Sequence, residues 1–118
     1  MATQWSENIV ISDLGDEPEL SEELNELYNG LKERAQSGVP NVVLNLAGVT
    51  YLNSSNIAQL LRIRRRLIEC ARGMKLSSVA DSVWSIMLLT GLDKVFEFTP
   101  DKATAIAALQ IQAQRGKA

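Results

Sequence analysis

Residues 41–56, NVVLNLAGVTYLNSSN, set a compact apolar run directly before a group of polar residues. The run at 41–46 lacks the alternation of a one-faced strand, so we interpret it as a buried strand in the centre of a sheet. A second short extended piece is expected at Tyr51 and Leu52. All four residues at 53–56 are of types that cap helices, which predicts that a helix begins there.

The segments before this stretch change from a strand-like to a helix-like pattern. Residues 8–14 are rich in β-branched side chains and end at Gly15, which predicts an edge or near-edge strand. From Pro18 onward, apolar residues recur at steps of three and four, which predicts an amphipathic helix that ends at Gly38 and Pro40. These apolar residues are Leu20, Leu24, Leu27, Leu31 and Ala35.

The segments after the stretch repeat the alternation. Residues 74–79 predict a third main strand, and residues 81–82 predict the cap of a helix that closes near Gly91. A short strand is expected at 95–98, and a last helix after Pro100. The inner face of the helix after residue 53 is predicted to hold Ile57, Leu60, Leu61, Leu67, Ile68 and Ala71, and that of the last helix Ala103, Ile106, Ala107 and Leu109.

Strands that alternate with helices through short connections indicate an α/β fold. We predict one domain over residues 1–118, with a mostly parallel central sheet of about four to five strands and about four helices. Its core is expected at about 8–110, and the polar tail at about 110–118 is expected to be flexible.

The residue composition and net charge exclude several classes of function. Of the 118 residues, 46% are hydrophobic and 22% are charged, which is typical of a folded globular domain. The net charge of −2 argues against a nucleic-acid-binding protein, which needs clustered Lys and Arg. The absence of histidine removes the commonest general base and metal ligand. We therefore expect no catalytic residues, no metal, no cofactor and no small-molecule substrate.

Location is predicted from cysteine usage and from the lack of targeting signals. The single cysteine, Cys70, cannot form an internal disulfide, and we interpret it as a small buried hydrophobic residue. No apolar run approaches the roughly 18 residues of a membrane span, so direct membrane insertion is not expected. These features predict a cytoplasmic protein.

The junction at residues 50–56 is the best candidate site. A strand passes into a helix there, and the free N–H groups and the dipole of a helix N-terminus favour an anion such as phosphate. The simpler interpretation is that Ser54 or Ser55 only caps the helix.

Two stretches resemble the signature of STAS domains, the family of bacterial anti-sigma factor antagonists. The first is VVLNLAGVTYLNSS at 42–55, and the second is GMKL at 73–76 followed by VWSIMLLTGLDKVF at 83–96. The resemblance covers roughly residues 41–110. It implies a STAS-like fold and a function in protein binding, without an active site.

The family pattern around the hydroxyl groups is Asp-Ser-Ser/Thr-Gly, and a partner anti-sigma kinase phosphorylates the first hydroxyl. The resemblance implies Ser54 as the phosphorylation site and Ser55 as its neighbour and helix cap. It also implies that the unphosphorylated chain binds an anti-sigma factor, a serine protein kinase of the ATP-binding type, and so frees a sigma factor. This sequence departs from the pattern with Asn53 in place of the aspartate and Asn56 in place of the glycine.

Further residues around Ser54 are expected to contact the partner. They are Asn53, Ser55, Asn56, Gln59, Arg62 and Trp84. Trp84 is a contact anchor or is half-buried against the sheet. The arginines at 62 and 64–66 are interpreted first as a solvated helix face, and Asp81, Asp93 and Asp101 as caps rather than metal ligands.

Two other functions stay open from the sequence. One is a STAS-like scaffold or transporter-associated subunit that binds constitutively and is never phosphorylated, which Asn53 favours slightly. The other is a small enzyme or carrier that binds an anionic metabolite at the same helix N-terminus, although the sequence places no base beside the serines.

Overall fold

Strands and helices alternate along residues 2–116, the part of the chain that the computed structural model describes. The strands are β1 Ala2–Trp5, β2 Ile9–Gly15, β3 Asn41–Gly48, β4 Met74–Ser77 and β5 Phe98–Thr99. The helices are α1 Glu19–Glu33, α2 Ser54–Glu69, α3 Asp81–Thr90 and α4 Lys102–Gly116, and short 3-10 turns lie at Gln36–Gly38 and Leu92–Lys94. The predicted α/β class is confirmed, and the fold is one compact domain.

The five strands form one sheet in the order β1-β2-β3-β4-β5. The pairs from β2 to β5 are parallel, and β1 is antiparallel to β2. The strand at 41–46 is therefore central, as predicted, and pairs with β4 through Val42–Met74 and Leu44–Leu76. The sequence did not predict β1, which makes β2 a near-edge strand.

Apolar side chains cover both faces of the sheet. Val42 and Leu44 of β3 belong to the large core cluster that also contains the buried residues of α1, α2 and α3. Val43 points to the opposite face and packs with Ala105 and Leu109 of α4. Because both faces are covered, β3 is apolar on both sides, which explains its continuous run.

Several predicted elements have different limits in the structure. The chain at Tyr51 and Leu52 forms no strand, and the strand expected at 95–98 is reduced to β5. The first helix ends at Glu33, ahead of the predicted stop at Gly38, which belongs to a separate 3-10 turn. Gly91 ends α3 with a left-handed backbone at φ 75°, as predicted.

The inner face of α2 differs from the prediction. Leu60, Ile63 and Leu67 are buried, whereas Leu61 and Ile68 are exposed by 38% and 57%. The helix contains more apolar residues than its buried stripe can hold, so the sequence pattern did not distinguish Ile63 from the exposed Leu61 and Ile68.

The last helix also differs. In α4 Leu109 is buried as predicted and Ile106 is half-buried, but the other buried residue is Ala105, and the predicted Ala103 and Ala107 are exposed. The helix continues through Gly116, so this much of the tail expected to be flexible is helical. Residues 117–118 of that tail lie outside the described residues.

Candidate functional site

Two asparagines cap the start of α2, and the side chain of each accepts a hydrogen bond from the backbone N–H of the other. The side-chain oxygen of Asn53 accepts the N–H of Asn56 at 2.8 Å, and that of Asn56 accepts the N–H of Asn53 at 3.0 Å. This is a reciprocal capping box with Asn53 as the N-cap. Ser54 and Ser55 are the first two helical residues, and both are exposed. The prediction that Ser55 caps the helix is wrong.

Asn56 connects α2 to the start of α1. It is fully buried, and its side-chain nitrogen lies 3.3 Å from Glu17 Oε2, 3.4 Å from Ser21 Oγ and 3.4 Å from Gln59 Oε1. Gln59 in turn donates to the carbonyl of Ser21 at 3.0 Å. Asn56 was expected to contact a partner, but its burial gives it a structural role instead.

The loop between β3 and α2 is fixed from two sides. Both oxygens of the Asp16 carboxylate accept hydrogen bonds from Thr50, one from the backbone N–H and one from the hydroxyl, each at 2.8 Å. These bonds hold the pKa of Asp16 below its ordinary value. On the other side, the hydroxyl of Ser82 at the start of α3 donates to the carbonyl of Thr50 at 2.9 Å.

An exposed apolar surface lies on α3 and the loop that Ser82 contacts. Trp84 is 37% exposed, Leu88 52%, Leu89 88%, and Tyr51 of the loop 62%. We call these four residues the α3 patch. The Trp84 ring packs edge-on against Phe98, with ring centroids 5.1 Å apart. Trp84 is therefore both a packing residue and a surface residue, which joins the two interpretations made from sequence.

The arginines of α2 are mostly held by the protein. Arg62 is exposed, with its guanidinium 5.3 Å from the centre of the Tyr28 ring. Arg64 and Arg66 are half-buried and donate to backbone carbonyls of other segments, so the solvated-face interpretation fails for them. Their acceptors are the carbonyls of Val95, Leu31 and Arg34.

The chemistry available at this site is that of an exposed hydroxyl at a helix N-terminus. The carboxylates of Asp16 and Glu17 lie in the segment before α1, and both accept hydrogen bonds from protein groups. Within the described residues, no cluster of three or more potential metal-ligating Cys, Asp or Glu side chains occurs. None of the described helices has the length and apolar character needed to cross a bilayer.

The structure brings most predicted site residues to one end of the sheet. Asn53, Ser54 and Ser55 form the first turn of α2, and Gln59 follows one turn later. The hydrogen bond between Ser82 and Thr50 joins the start of α3, which carries Trp84, to this loop. Sequence reasoning missed Leu88 and Leu89. The pattern VWSIMLLT is apolar on every side, and a helix of this kind at a protein surface leaves one apolar face exposed.

Comparisons with known proteins identify solved structures of the same fold. The chain is similar to the structure of an anti-sigma-factor antagonist (STAS) domain protein from Planctomyces limnophilus, with 20% identity, a TM-score of 0.76, and 92% of this chain and 97% of that one covered. A putative anti-sigma factor antagonist from Thermotoga maritima gives 14% identity and a TM-score of 0.76, with 92% and 93% covered. The phosphorylated form of the Bacillus cell fate determinant SpoIIAA gives 17% identity and a TM-score of 0.63, with 91% and 98% covered.

At these identities the structural likeness establishes the fold alone. No curated protein sequence matches the chain. A sequence profile of the STAS domain matches residues 13–105, which is more than half of the chain. On this match, and on the five-stranded fold that agrees with it, the chain belongs to the STAS domain family.

Proposed function

We propose that this protein is an anti-sigma factor antagonist that works by binding and has no active site of its own. Its partner is an anti-sigma factor that is also a serine protein kinase of the ATP-binding type, in the cytoplasm. Phosphorylation of Ser54 by that partner ends the binding. The observation that carries this proposal is the exposed Ser54 at the first position of α2, outside the capping box.

The position of Ser54 supports a phosphate that leaves the fold intact. A phosphate at the first position of a helix meets unpaired N–H groups and the positive end of the dipole. The hydroxyl of Ser54 is also not the N-cap, because Asn53 and Asn56 make the capping box. Modification therefore changes the surface charge without removing a helix cap.

In the proposed transfer, the γ-phosphoryl group of ATP forms a bond to Ser54 Oγ while its bond to ADP breaks, and the hydroxyl proton is released. The added charge is about −1.5 to −2 at neutral pH. A partner that docks over Ser54 would have to desolvate this charge, which lowers its affinity.

The α3 patch supports the binding half of the proposal. It exposes two leucines and two aromatic residues on one small domain, and large apolar and aromatic side chains dominate interface energetics. Arg62 is exposed on α2, with its guanidinium over the Tyr28 ring of α1, and offers a partner a positive charge outside the α3 patch. A partner with an apolar groove and an acidic edge would fit.

A second candidate is a STAS-like scaffold or transporter-associated subunit that binds its partner constitutively. The observation that favours it is Asn53, which puts a neutral amide beside Ser54 where the family pattern has a carboxylate. A carrier of a small anionic ligand is a third alternative, and retention of such a molecule by the purified protein would support it.

Binding measurements by calorimetry with a candidate anti-sigma factor test the proposal. Ser54→Ala is expected to bind as the natural chain does, and Ser54→Asp at least about tenfold more weakly, a difference of roughly 1.4 kcal/mol. Ser37→Asp is the control, because it adds the same charge at an exposed residue of the 3-10 turn before β3. Equal binding by both Ser54 variants would favour the second candidate, the scaffold that binds constitutively. No binding by the natural chain would contradict the proposal.

A further inference from the structure

The carboxylate of Glu17 joins the starts of two helices. Its Oε1 accepts the N–H of Ser21 in the first turn of α1 at 2.7 Å. Its Oε2 accepts the hydroxyl of Ser21 and the side-chain amide of Asn56, the latter at 3.3 Å. Because Asn56 also holds the N–H of Asn53, one side chain separates Glu17 from the residue that precedes Ser54.

Glu17 accepts a backbone N–H at the start of α1, and an anion on Ser54 would lie at the start of α2, which Glu17 contacts through Asn56. The hydrogen bonds from Ser21, and after them those from Asn56 and Asn53, hold the pKa of Glu17 below its ordinary value, so the group is charged at neutral pH. A second negative charge at the first residue of α2 would repel it, since Glu17 contacts Asn56 in that same first turn of α2.

Among the hydrogen bonds that Glu17 accepts, the one from Asn56 is the longest. At 3.3 Å it is longer than an ordinary hydrogen bond, whereas the bond from the Ser21 N–H is 2.7 Å. Asp16, the other carboxylate of this segment, is held at 2.8 Å by two groups of Thr50. Repulsion from Ser54 would therefore act first on the Glu17–Asn56 contact.

We propose that Glu17 is the residue through which a charge on Ser54 acts on the start of α1. The added charge moves the Glu17 carboxylate away from Asn56 and loosens the link between α1 and α2. This inference rests on the proposed function of Ser54 and adds residues 17–21 to the surface that differs between the two states. Glu17 is a positioning residue in this scheme, since it acts through Asn56.

Nuclear magnetic resonance on the chain without a partner tests the inference. Ser54→Asp supplies the charge, and Ser54→Asn is the matched neutral control of the same shape. In Ser54→Asp we expect a higher pKa for Glu17 and side-chain amide protons of Asn56 that exchange about threefold to tenfold faster, as for the loss of one hydrogen bond. Asp101, which caps α4 on the opposite face of the sheet, is the internal reference and is expected to stay unchanged.

Glu17→Gln separates charge repulsion from a merely structural role. It keeps an oxygen acceptor for Asn56 but removes the charge, so Ser54→Asp is expected to leave Asn56 exchange unchanged in this background. Unchanged Glu17 and Asn56 signals in Ser54→Asp, or a response that survives Glu17→Gln, would overturn the inference. This experiment uses no partner, so a negative result would not contradict the proposed binding of an anti-sigma factor. Conversely, a failure to bind an anti-sigma factor would not contradict the coupling between Ser54 and Glu17.

Discussion

Asn53 and Asn56 each accept the other's backbone N–H, at 2.8 and 3.0 Å, and so close the start of α2 without either serine between them. The cap and the candidate phosphate acceptor are therefore different residues. In the family pattern these two positions are an aspartate and a glycine. This chain has a neutral capping pair that also holds α1 through the buried Asn56.

Removing the cap is expected to lower stability more than removing a serine. We predict that Asn53→Ala lowers the free energy of unfolding by about 1 kcal/mol, since an N–H at the helix start loses its acceptor. Ser55→Ala, at the second helical position, is the matched control and is expected to change it by less than about 0.5 kcal/mol. Urea unfolding checks both, and an equal loss in the two variants would contradict the capping box.

The α3 patch is expected to matter for binding and not for folding. Leu89 is 88% exposed, so Leu89→Lys should change stability by less than about 0.5 kcal/mol. We predict that it weakens binding of the anti-sigma factor by about tenfold or more, because a charge enters an apolar contact. Ile68→Lys is the control, since Ile68 is 57% exposed near the other end of α2. Unfolding curves and calorimetry separate the two effects, and equal binding by both variants would exclude the patch.

Asp16 is expected to contribute to acid sensitivity. Its folded pKa lies below its ordinary value of 3.8, so its stabilisation is fully present above that value and is lost as pH falls through the folded pKa. Asp16→Asn should therefore lower the thermal midpoint at pH 7 and reduce the further loss between about pH 4 and pH 2. Glu26→Gln, on the exposed side of α1, is the control. An acid profile identical to that of the natural chain would contradict the role of Asp16.

Trp5 of β1 makes Gly30 a sensitive position in α1. A Cβ at Gly30 would lie 2.6 Å from the Trp5 ring, which also stacks with Arg34 at 4.6 Å from the ring centre. Alanine forms helices better than glycine by about 0.8–1.0 kcal/mol. We predict that Gly30→Ala fails to stabilise the natural chain but stabilises Trp5→Ala by about that amount. Unfolding of the four variants measures this, and equal effects in both backgrounds would contradict the packing.

Local patterns were enough to predict most of the architecture. The apolar run at 41–46 predicted a central strand because burial on both faces needs no alternation, and the leucines of α1 predicted its buried face. Strand β1 could not be predicted in this way. Its residues Ala2–Trp5 hold one large apolar side chain, and the strand depends on pairing with β2 and on the contact between Trp5 and Gly30.

The candidate site was predicted in part. The cluster at 53–56 predicted the start of the helix, but four cap-type residues in a row do not say which one caps it. The burial of Asn56 depends on Glu17 and Ser21, which are more than 30 residues away in sequence. The α3 patch likewise depends on which side of that helix meets the sheet, since its residues are apolar on every side.

The phosphorylation of Ser54 is tested by the intact mass of the chain after incubation with ATP and the candidate anti-sigma kinase, with peptide mapping of residues 53–62. We expect a gain of one phosphate on Ser54 in the natural chain and no gain in Ser54→Ala. An unchanged mass in a chain that still forms the complex, or a phosphate on Ser55 instead, would contradict it.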